Sequence, residues 1–147
     1  MTPTSKRIAY DVGVFRFFWK DDMARNYLYV FFGGGLGASL RYWLSGVIPR
    51  YTGSQFPYGI LIVNVVGCFF IGFLMSALEE RFIVTPTLRI FLTVGILGGF
   101  TTFSTFSYET IAMMRDSEFL RASLYVGLSL ALGLGGTHVG SLIGKLI

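Results

Sequence analysis

The chain has 147 residues, of which 53% are hydrophobic and only 14% charged, with a formal net charge of +4. Ordinary soluble domains are about 45–50% apolar and about 25% charged, so a mean hydropathy of +0.64 points to an integral membrane protein. The sequence leaves no room for a soluble catalytic domain: it shows no nucleophile–base pair, metal-ligand cluster or phosphate loop, and no basic stripe for nucleic acid.

Residues 1–25 form an extension in which Lys6, Arg7, Arg16 and Lys20 alternate with Asp11, Asp21 and Asp22. It lacks the sustained apolar core of a cleavable signal peptide. Residues 12–19 fit either a short interfacial piece with Trp19 at headgroup level or a tail without fixed structure. Four charge-poor windows follow, near residues 26–47, 58–78, 88–113 and 122–146. About 20 apolar residues cross a hydrocarbon core, so residues 26–147 are expected to form one all-α domain of four transmembrane helices. Arg25, Arg81, Arg89 and Lys145 then flank one side, and Arg41, Arg50, Arg115 and Arg121 the other. Around the spans that balance gives no orienting bias, while the extension adds four more cations to the first side and weighs there only if it sits near the membrane. A chain that inserts both ways is expected to pair as an antiparallel homodimer, and four helices are too thin a bundle to enclose a pore alone.

In the first span, Gly33, Gly34, Gly35, Gly37 and Ala38 allow close backbone approach. Arg41 is the sole cation within that span; it either snorkels to the interface or brings positive potential into a vestibule. Asn64 sits at the centre of the second span, where a carboxamide either ties helices together or faces a polar path. Cys68, the single cysteine, has no disulfide partner in the chain and is expected to pack as a small apolar residue.

The third window holds Gly98-Gly99-Phe100-Thr101-Thr102-Phe103-Ser104-Thr105-Phe106. Adjacent glycines and threonines are poor helix formers. Irregular backbone at membrane depth persists only where protein covers it or it lines a cavity, so a break here points to an ion or substrate site. Phe103 and Phe106 are three apart, near one face of a half-helix that begins around residue 102. They are either core or lipid-facing, or they present electropositive ring edges to a small anion. Glu109 follows them as an interfacial carboxylate. In the fourth span Tyr125, Ser129 and Thr137 lie on one stripe, with Gly133 in the gap, and their hydroxyls are candidate anion donors. Gly136, Gly140 and Gly144 make a ridge of small residues, and His138 beside it is expected to be a packed or snorkelling side chain.

Taken together, three segments resemble the Fluc (CrcB) fluoride channels. They are Gly34-Gly35-Leu36-Gly37-Ala38-Ser39-Leu40-Arg41-Tyr42, Leu61-Ile62-Val63-Asn64-Val65-Val66-Gly67, and Gly98 to Ser107. The resemblance covers roughly residues 27–146. It implies an antiparallel dual-topology homodimer in the cell membrane, with the third helix broken at mid-membrane and two pores that let fluoride leak out of the cell. It further implies a structural sodium ion on the dimer axis, held by backbone carbonyls of Gly98 and Thr101. Phe103, Phe106 and Asn64 would meet fluoride, Arg41 would line the vestibule, and Tyr125, Ser129 and Thr137 would continue the polar track toward Glu109. Two departures are Ile60, where threonine is common, and Gly133, where a hydroxyl is expected. A proton-coupled exporter of small cations is the alternative, but it needs an embedded carboxylate, and the first span has no Asp or Glu.

Overall fold

The computed structural model describes residues 23–53, 55–80 and 85–146, and among these every regular element is helical. The expectation for residues 12–19 lies outside the described residues. Helix α1 spans Met23–Thr52 and α2 spans Tyr58–Glu80. The third apolar stretch is composite. It starts as α3 (Pro86–Ile90), widens into a π-helical segment (Phe91–Leu97), returns as one α-turn, α4 (Gly98–Phe100), breaks, and resumes as α5 (Phe103–Arg115). Helix α6 spans Phe119–Leu146.

Three stretches are long and apolar enough to cross a membrane: Tyr58–Leu78, Pro86–Arg115 and Phe119–Leu146. The fourth expected span, α1, reaches the length at 30 residues but not the same apolarity. Its sequence carries Arg25, Asn26, Ser39, Arg41 and a stretch of glycines. At 1.5 Å per residue it is about 45 Å long, well over the ~30 Å of a hydrocarbon core.

Glycine decides which helices meet. Helix α6 lies along α2, where a Cβ on Gly72 would run into the Thr137 carbonyl. A Cβ on Gly140 would meet the Phe69 carbonyl, and one on Gly144 the Phe73 carbonyl. The Gly136–Gly140–Gly144 ridge is therefore committed to packing within the chain. Ser76 and Ser141 close the same seam with a 2.6 Å hydrogen bond between hydroxyls. On the other side, α1 seats against the π segment and α4. A Cβ on Gly33 would stand 2.8 Å from the Phe91 carbonyl oxygen and 2.9 Å from Gly95 Cα, and one on Gly99 would strike Gly34. Such approach is how helices associate where lipid removes any hydrophobic drive.

Gly140→Ala is accordingly expected to destabilise the fold by about 1–3 kcal/mol, because the neighbour is backbone and cannot rotate away. Gly135→Ala has nothing within 4 Å of the added carbon and should be neutral or slightly stabilising. Paired melting curves in detergent check the contrast, and equal melting temperatures would refute it.

The turn between α5 and α6 is tight. Ser117 takes a left-handed φ of 62°, while the Glu118 N–H donates to the Met113 carbonyl at 2.9 Å and the Ser117 N–H to Met114 at 3.1 Å. This paired closure satisfies the last carbonyls of α5 and sends α6 back antiparallel to it.

Candidate functional site

The break falls on Thr101 and Thr102, both extended (φ −84°, ψ 155° and φ −149°, ψ 115°). Within the Gly-Gly-Phe-Thr-Thr run it is the threonines that unwind. Gly98 and Gly99 stay helical, since Gly99 is needed for contact with α1, whereas threonine can replace lost backbone partners with its own hydroxyl. Thr101 Oγ1 donates to the Leu97 carbonyl at 3.0 Å. Thr102 is the N-cap of α5: its Oγ1 accepts from the Thr105 N–H at 3.3 Å and lies 3.1 Å from both Ser104 Oγ and Thr105 Oγ1.

Asn64 on α2 completes the arrangement. Its Nδ2 donates to the Thr102 carbonyl at 3.1 Å, and the Thr102 N–H donates to its Oδ1 at 2.8 Å. One carboxamide thus satisfies both backbone groups of an extended residue, the requirement for irregular chain in an apolar setting. Two N–H groups are diverted at the break, one by Asn64 and one by the Thr102 cap. The donor four residues past Gly98 is that of Thr102, which goes to Asn64; the donor four past Thr101 is that of Thr105, which goes to Thr102 Oγ1. The Gly98 and Thr101 carbonyls are thereby left without their helical donors.

Beside the break lies an open cavity of about 470 Å³. Asn64, Gly98, Thr101, Thr102, Phe103, Phe106 and Ser129 line it, joined by Cys68, Thr93 and Leu97. Phe103 is 80% exposed in the single chain, while Phe106 is half-buried against Leu61, Met113, Ala122 and Tyr125. The two phenylalanine rings are 5.6 Å apart and tilted by 43°. Phe106 also tilts 47° against Tyr125 at 5.2 Å. Tyr125 is fully buried, forms a T-shaped contact with Phe56 at 5.6 Å, and donates its hydroxyl to Glu109 Oε2 at 2.6 Å.

The other expected site residues sit apart from the cavity. Thr137 donates to the Gly133 carbonyl at 3.1 Å, one helical turn away within α6. Arg41 is half-buried on α1, with no carboxylate partner among the described residues, and His138 is exposed on α6. Sequence reasoning missed Thr102 as the cap and as the partner of Asn64. The signal was there: a threonine directly before a helical pattern is a favoured N-cap.

Residues 28–141 match the family described as CrcB-like protein, Camphor Resistance (CrcB). The chain belongs to the CrcB family. Among its CrcB relatives, the fluoride-specific ion channel FluC of Geobacter sulfurreducens is 50% identical over 107 residues, covering 73% of this chain and 86% of the relative. The channel of the same name from Geotalea uraniireducens is 47% identical over 118 residues, 80% and 95% of the two chains. That of Flavobacterium psychrophilum is 42% identical over 121 residues, 82% and 98%. These relatives carry the name of a channel rather than of an enzyme.

Proposed function

We propose that this protein is a passive, fluoride-selective channel, not an enzyme, and that it works as an antiparallel homodimer with two pores in the cell membrane. The observation that carries the reading is the joint wall of the cavity: an amide, two phenyl rings and hydroxyls face one space beside a broken helix, in a chain whose relatives are named fluoride-specific channels. Phenyl edges are electropositive without carrying charge. They attract a small anion yet let it go, as conduction demands. Asn64 keeps one amide hydrogen after its bond to Thr102, and this hydrogen and the Ser129 hydroxyl supply donors to the same ion. Tyr125, paired with Glu109, and Thr137 extend the polar track, and Arg41 raises the local potential for anions at the mouth.

The freed carbonyls of Gly98 and Thr101 suit a hard cation, which prefers oxygen ligands. Two oxygens are too few for such an ion. A second copy meeting this one across the break doubles the set, and the exposure of Phe103 supports a partner at this face. A sodium ion so held supplies fixed positive charge at the junction of the two subunits. Fluoride and the bilayer are then the chain's other partners.

Liposomes loaded with fluoride and chloride test the reading. Fast fluoride efflux is expected once an ionophore balances charge, with chloride retained. Efflux that appears only under an imposed proton gradient would replace the channel by a coupled exporter.

A further inference from the structure

Cys68 stands on α2 one turn beyond Asn64, on the same face, and lines the same cavity. Its thiol is free and has no hydrogen-bond partner among the described residues. Ser129, on α6, lines the same cavity; its Oγ is buried and is the one such side-chain atom without a partner among the described residues. An unmet buried hydroxyl costs about 1–3 kcal/mol, so the position favours a species that enters the cavity and accepts from it. One turn further along α6 is Gly133. A Cβ built there would meet a single neighbour within 4 Å, the Cys68 sulfur at 3.5 Å. The thiol therefore flanks the space where position 133 offers no side chain.

We propose that the Cys68 thiol is a wall group of the anion path, donating with Ser129 to the ion at the level where Gly133 provides nothing. The proposal rests on the channel reading above. An S–H group is a weak, uncharged, polarisable donor, which helps an anion past without holding it. On this reading a hydroxyl can replace the thiol as donor, whereas an aliphatic branch has no hydrogen to donate.

The test uses the full chain in fluoride-loaded liposomes. Methyl methanethiosulfonate converts a reachable thiol to its methyl disulfide and releases methanesulfinate. It should label Cys68 and suppress efflux in the wild type, whose fold is unperturbed, and leave Cys68→Ser conducting. Cys68→Val should conduct about fivefold to tenfold more slowly, the worth of one lost hydrogen bond, and Gly133→Ser in that background should recover the rate. If Cys68→Val does not elute as the folded protein, labelling of the wild type decides. Absence of labelling, labelling without loss of flux, or a folded Cys68→Val at the wild-type rate overturns the proposal and leaves the channel intact. A wild type that passes no fluoride ends both.

Discussion

Phe106→Ile is expected to lower fluoride efflux by roughly 100-fold or more, equivalent to about 2.7 kcal/mol of barrier, while the protein still elutes as a folded species. The ring is half-buried, against Leu61, Met113, Ala122 and Tyr125. Isoleucine keeps much of that apolar contact, and a swap of this kind costs the fold about 1–2 kcal/mol. What it removes outright is the positive ring edge, since an aliphatic side chain has no quadrupole. It also breaks the tilted contacts with Phe103 at 5.6 Å and Tyr125 at 5.2 Å that fix the edge's direction. The measurement is initial efflux rate per folded protein in liposomes. Unchanged efflux would eliminate ring-edge coordination and leave the amide and hydroxyls to account for selectivity.

Asn64→Leu is expected to do more harm to the fold than any other single substitution in the site. Two hydrogen bonds disappear, at 3.1 and 2.8 Å, and the N–H and C=O of Thr102 are orphaned together. Each buried orphan costs about 1–3 kcal/mol, and more where the surroundings are hydrocarbon. The sum, about 2–6 kcal/mol, should lower the melting temperature by on the order of 10 °C. A melting temperature within a degree of wild type would mean that Asn64 does not hold the break, and that the carboxamide serves the cavity alone. Because Asn64 belongs to both the scaffold and the cavity, its loss should depress flux and stability together, whereas Phe106→Ile should separate them.

Much of the fold was legible because a bilayer permits few solutions. Charge-poor windows of spanning length must be helices, and the windows near 58–78, 88–113 and 122–146 correspond to α2, the composite third stretch and α6. The first window extends further at both ends, through Met23–Arg25 and on past Pro49 to Thr52, a proline that propensity alone would read as the end of the helix. Local chemistry also placed the break within a few residues: Gly-Gly-Phe-Thr-Thr is weak helix. It did not say which of those residues would unwind. Gly99 stays helical because α1 approaches it, and Thr101 and Thr102 yield because Asn64 and their own hydroxyls replace the helical bonds.

By itself, then, the sequence determined the membrane class, the number of long helices, the family motifs and the interrupted third stretch. These depend on composition and on neighbours within a turn or two. Only the tertiary structure decided that the Gly136–Gly140–Gly144 ridge faces α2 of its own chain, that Asn64 meets Thr102 across 38 residues, and that Cys68 stands beside Gly133. Such pairings depend on the rotation and register of one helix against another. Many backbone contacts fix that register jointly, and no single segment encodes it.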